Sequence, residues 1–84
     1  MDSENDSPST GSSARDRLAR NVRRARLHRQ LSIIQLAQES GLPRERLEAI
    51  ESGTLDPSAI DVADLEDLAK ALHLQESDLF RKIS

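Results

Sequence analysis

The 84-residue chain has no cysteine, no tryptophan and no tyrosine, and Phe80 is its single aromatic residue. Without cysteine, neither a disulfide framework nor a thiolate zinc site can form. With one aromatic, the interior must be filled by Leu, Ile, Val and Ala, which suits a small helical core and not an aromatic-rich β-sandwich. No apolar run exceeds three residues, whereas a membrane span needs about 20. The N-terminus has no apolar signal-peptide core, so a cytoplasmic protein without a membrane partner is expected. A glycine-rich phosphate loop is missing. His28 and His73 are the only histidines, and they lack the i, i+4 spacing of a helical metal site. No catalytic residue, cofactor or metal is expected, and the chain reads as a non-enzyme of one small domain.

Charge is present in quantity but unevenly placed. The net charge of −3 conceals a segment, 15–29, with seven arginines against Asp16. Residues 56–78 carry seven acids against Lys70. A molecule polarised in this way can turn a cationic face to an anionic partner and an acidic face away from it.

The first 14 residues, MDSENDSPSTGSSA, are polar and Ser-rich, contain Asp2, Glu4 and Asp6, and are broken by Pro8 and Gly11. They have nothing to bury and should form a disordered tail, leaving 15–84 as the folded domain. A first helix is expected over about 15–29, with Leu18, Val22 and Ala25 at helical spacing on its apolar stripe. Its remaining surface is almost all arginine.

The segment 31–53, LSIIQLAQESGLPRERLEAIESG, reads as two short helices around a tight turn. Ser32 and Gln35 have the spacing of a capping box, Gly41 suits a left-handed C-cap, and Pro43 suits a first helical turn. Leu36, Ala37, Leu42, Leu47 and Ile50 are the candidate core, so the pattern is a helix-turn-helix. The stretch 54–59 reads as a loop with little regular structure. A fourth helix follows over about 62–72, with Asp61 as N-cap, Asp64 in its first turn and Val62, Leu65, Leu68, Ala69 and Leu72 on its apolar face. His73 fits a C-terminal cap, and a fifth helix is expected over 76–82 with Leu79 and Phe80 packing back.

In three pieces, VRRAR, LSIIQLAQESGLPRERLEAIESG and LEDLAKALHLQESDLF, the chain resembles the lambda-repressor-like domain of the Cro/Xre family of bacterial and phage regulators. The resemblance implies an all-α, compact five-helix bundle whose third helix, 44–51, enters the major groove of double-stranded DNA, usually as a homodimer on two half-sites. It also implies that Arg26 and Glu51 form a structural ion pair, since they stand where the family pairs an arginine on helix one with a glutamate on helix three. DNA contacts would fall to Arg44, Glu45, Arg46, Glu48 and Ala49. Of these, Arg44 has the chemistry for bidentate guanine contact, Glu45 can accept from a cytosine amino group, and Arg46 suits a phosphate. On helix one, Arg20, Arg23, Arg24 and Arg29 would flank the groove.

Some residues depart from that pattern. Three glutamates on helix three face two arginines, the loop after Gly53 carries no base and is longer than usual, and Ile33 replaces a phosphate-binding glutamine. Ile33 and Ile34 either pack inward or form an apolar protein-binding patch. Two functions therefore stand open: a sequence-specific DNA-binding transcriptional regulator, or a helix-turn-helix used to bind a regulatory or antitoxin-type protein partner, with weak or no DNA binding.

Overall fold

The computed structural model describes residues 13–81, and the expected tail lies almost wholly outside them. Five α-helices follow one another: α1 (Ala14–His28), α2 (Ile33–Ser40), α3 (Arg44–Glu51), α4 (Val62–Ala71) and α5 (Glu76–Leu79). The described residues contain no strand. The fold is the expected all-α, five-helix, lambda-repressor-like bundle. Each helix packs on its neighbours in a ring: α1 on α3, α3 on α2, α2 on α4, α4 on α5, and α5 back on α1.

The core is aliphatic. Leu18, Val22, Leu36, Leu47, Ile50, Leu68 and Leu79 are fully enclosed, and each stabilises the fold by roughly 1.5–3 kcal/mol relative to exposure. Helix ends are set by local chemistry. The Ser32 hydroxyl accepts from the Gln35 amide at 3.0 Å while the Gln35 side chain accepts from the Ser32 amide at 2.8 Å, closing the expected capping box. Gly41 ends α2 at φ 78°. His73, at φ 60°, occupies the left-handed position after α4, with its amide on the Lys70 carbonyl and that of Leu74 on Ala69. This is a Schellman cap formed by a side-chain-bearing residue where glycine is usual.

Four expectations need correction. Val62 is 64% exposed, because Ile60, still extended, fills the core position just before α4 begins. Pro43 precedes α3 instead of opening it, whereas Asp61 does stand at the N-cap of α4 as expected, its side chain making no bond to the helix. The 54–59 loop contains a 3₁₀ turn, Pro57–Ala59, because the Asp56 carboxylate accepts from the Ser58 amide at 3.0 Å and Pro57 supplies a helical φ. Finally, α5 stops at Leu79.

The early end of α5 has a specific cause. The buried Asn21 amide donates to the Leu79 carbonyl at 2.9 Å and the Arg81 carbonyl at 2.7 Å, and Arg17 Nε donates to the Phe80 carbonyl at 3.1 Å. Side chains of α1 thus satisfy the orphan acceptors of the last turn. Asn21→Ala leaves those carbonyls unpaired and should cost about 1–3 kcal/mol in urea denaturation, with faster amide exchange concentrated in α5. The Ser58 amide and hydroxyl hold the Asp56 carboxyl below its ordinary range. A depressed carboxyl favours the folded state above its unfolded value, near about 4. That contribution is lost as pH falls from this value through the lower folded-state value, and Asp56→Asn should remove this part of the acid-side dependence.

Candidate nucleic-acid interface

The pair expected between helices one and three is present and has a third partner. Arg26 Nε and Nη2 donate to the two Glu51 carboxylate oxygens at 2.7 and 3.0 Å, and Nη1 donates to the Leu31 carbonyl at 2.8 Å. Both side chains are largely enclosed, at 13% and 10% exposure. The Glu51 contact raises the affinity of the guanidinium for its proton. One guanidinium therefore joins α1, the α1–α2 turn and the end of α3, which fixes the angle at which α3 is presented.

With its C-terminal end held by this clamp, α3 leaves its other face open. Arg44, Glu45 and Glu48 are exposed, and Ala49 is half-buried between them and the core. Arg44 Nε lies 3.7 Å from Glu48 Oε2, both side chains being more than half exposed. A pair of this kind contributes only about 0.3–0.5 kcal/mol, so the Arg44 guanidinium can be redirected at little cost. Arg46 is more committed: its Nη1 lies 2.7 Å from Asp64 Oδ2 and ties α3 to the first turn of α4.

The arginines of α1 separate into two groups. Arg29 is engaged internally, with one nitrogen on Glu39 of α2 at 2.8 Å and on the Ala71 carbonyl that ends α4. Arg20, Arg23 and Arg24 are exposed and make no ion pair among the described residues. They surround Leu27, itself 55% exposed, on the side of α1 opposite Leu18, Val22 and Ala25. Because α3 packs against the inner side of α1, these cations lie on the side of α1 away from that contact. The two isoleucines also part company: Ile33 packs on the core, whereas Ile34 is 53% exposed.

The helix-turn-helix model of the HTH_3 family matches residues 22–79, most of the chain. The chain is a member of the HTH_3 helix-turn-helix family. This places it among the Cro/Xre-type domains that its sequence resembles. No curated protein matches it. The fold is shared with three solved structures. The restriction-modification controller protein C.AhdI from Aeromonas hydrophila is 28% identical, with a TM-score of 0.68 over 76% of this chain and 92% of that one. An HTH_3 family transcriptional regulator from Vibrio cholerae is 28% identical at a TM-score of 0.71, over 84% of this chain but 38% of that longer protein. The hypothetical transcription factor NHTF from Neisseria is 25% identical at a TM-score of 0.76, over 94% and 87%. No helix among the described residues of this HTH_3 domain is long and apolar enough to cross a membrane, and no group of three or more potential metal ligands occurs there.

Sequence reasoning found the clamp and the α3 surface but missed Asn21, Arg17 and the internal use of Arg29 and Arg46. Asn21 did leave a signal, as a polar residue adjoining Val22 on an otherwise apolar stripe. Arg26→Met alone strands the Glu51 carboxylate and should cost about 3 kcal/mol by denaturation. The double variant Arg26→Met/Glu51→Leu should recover part of that loss, giving a non-additive cycle.

Proposed function

We propose that this HTH_3 domain is a sequence-specific DNA-binding transcriptional regulator without catalytic activity, inserting α3 into the major groove. The observation that carries the reading is the open N-terminal half of α3, held by Arg26 and presenting a loosely paired Arg44. Arg44 would take a guanine edge in bidentate fashion, Glu45 would accept from a cytosine amino group, and Glu48 and Ala49 would border them. Arg46 would exchange Asp64 for a phosphate where the backbone passes close enough.

Arg20, Arg23 and Arg24 would act mainly through their field, steering the duplex toward the cationic side of an otherwise acidic molecule. Arg29, already spent within the protein, would serve the frame. A homodimer on two half-sites one helical turn apart follows from the docking geometry of this motif. Membership of the family and likeness to transcription regulators support the reading.

A second reading is motivated by one observation: Ile34 stands exposed at the start of α2, beside an α3 rich in glutamate. In that case the domain would dock a protein partner through this patch and bind DNA weakly.

Selection from a random duplex pool tests the choice. The first reading predicts enrichment of a paired half-site, with binding that weakens steeply as salt rises. Arg44→Ala should cost about 1–3 kcal/mol and relax preference at one base position. Arg23→Ala should weaken all sequences alike and flatten the salt dependence. Absence of enrichment at low salt, together with a stoichiometric protein partner lost on Ile34→Asp, would favour the second reading.

A further inference from the structure

Away from α3, the C-terminal half of α1, the α4–α5 turn and α5 enclose a groove of about 620 Å³. No residue of α2 or α3 lines it. Both histidines of the chain, 45 positions apart in sequence, border it, together with Arg24, Arg29 and Arg81. Asp78 is the single acid in the lining. Its oxygens are already used, one by Arg81 Nη2 at 3.3 Å and the other by the Gln75 amide at 3.1 Å.

The groove therefore holds unspent donors. The side chains of Arg24, His28 and His73 make no hydrogen bond or ion pair among the described residues. Arg81 is 76% exposed, so its contact with Asp78 is the weak surface kind. Beneath these groups the lining is apolar, from Ala25, Leu72 and Leu74.

His73 lines the groove together with Arg24 and His28 of α1. Of the other left-handed positions, 41 and 53 carry glycine and 30 carries glutamine; at 73, as at 30, a side chain costs roughly 1 kcal/mol in backbone strain.

From these features we infer that the groove is a binding site for a nucleoside phosphate. The unpaired side chains of Arg24, His28 and His73, with the weakly paired Arg81, suit a phosphate dianion. The volume lies in the range of small-molecule sites, about 300–1,000 Å³, and exceeds what inorganic phosphate alone would fill. The apolar floor offers a surface for the base. The site is separate from α3, and its occupancy does not depend on whether α3 reads DNA.

The test is titration of the full chain with ADP, pyrophosphate, inorganic phosphate and adenosine, followed by calorimetry and by backbone amide shifts. Saturable binding of ADP is expected, about tenfold tighter than inorganic phosphate, with adenosine weakest. Shifts should centre on Ala25, His28 and residues 72–74, and not on Arg44–Glu51. Arg24→Glu should weaken ADP binding about tenfold or more, the loss of one charge-assisted hydrogen bond. His73→Gly should raise the melting temperature by relieving the cap while weakening ADP, a combination that a purely structural histidine would not give.

If pyrophosphate matches ADP, or the shifts centre on α3, the base-binding groove is refuted in favour of general anion attraction. Unchanged ADP affinity in a folded His73→Gly variant, or no binding into the millimolar range, would also overturn it. A duplex DNA arm separates the remaining source of phosphate: a groove that served the DNA backbone would show duplex-induced shifts at residues 72–74 that ADP competes away.

Discussion

The contact on which the helix-turn-helix depends is the Arg26 guanidinium, which uses its planar fork on both Glu51 oxygens and the Leu31 carbonyl. A lysine could hold one of these acceptors at a time, whereas the guanidinium fixes their relative directions. Both charges are largely withdrawn from water, so the pair's net stabilisation is small against its desolvation cost. What it supplies is geometry. The end of α3 and the turn before α2 cannot shift independently while both are bonded to the same rigid plane.

The same helix repeats this device elsewhere. Asn21 and Arg17 close the acceptors at the end of α5, and Arg29 reaches the Ala71 carbonyl at the end of α4. In a bundle of short helices, unpaired terminal carbonyls are numerous relative to the core. Placing their partners on the longest helix makes α1 a polar spine as well as an apolar wall. The charge left over on α1, at Arg20, Arg23 and Arg24, falls on its outer side. Among the described residues, the acids without an ion pair are Asp16 on α1, Glu45 on α3, Asp61 before α4, Glu66 and Asp67 on α4, and Glu76 on α5. The domain is therefore a rigid frame with a polarised surface.

Legibility followed the range of the interactions. The Ser32–Gln35 box, the Gly41 cap and the apolar stripes are set by neighbours within four residues, and the chain declares them by spacing. Arg26 and Glu51, 25 positions apart, were readable through the family pattern alone. The burial of Ile60 in place of Val62, the truncation of α5 and the pairing of Arg46 with Asp64 depend on residues brought together only by folding. Periodicity continues a helix through 82 because nothing local forbids it; the competing acceptors for Asn21 are 58 and 60 residues away. The candidate recognition surface was legible as a set of positions. Which of its cations are free was not, since Arg29 and Arg46 are engaged by groups on other helices.

The claim that α3, presented by Arg26, is the face that meets DNA is tested most directly by amide shift perturbation of the full chain on adding a selected duplex. The account predicts the largest, saturating changes over Arg44–Glu51 and at residues 32–35, with smaller changes on the outer side of α1. Changes confined to Arg20, Arg23 and Arg24, with α3 unaffected at saturation, would contradict it.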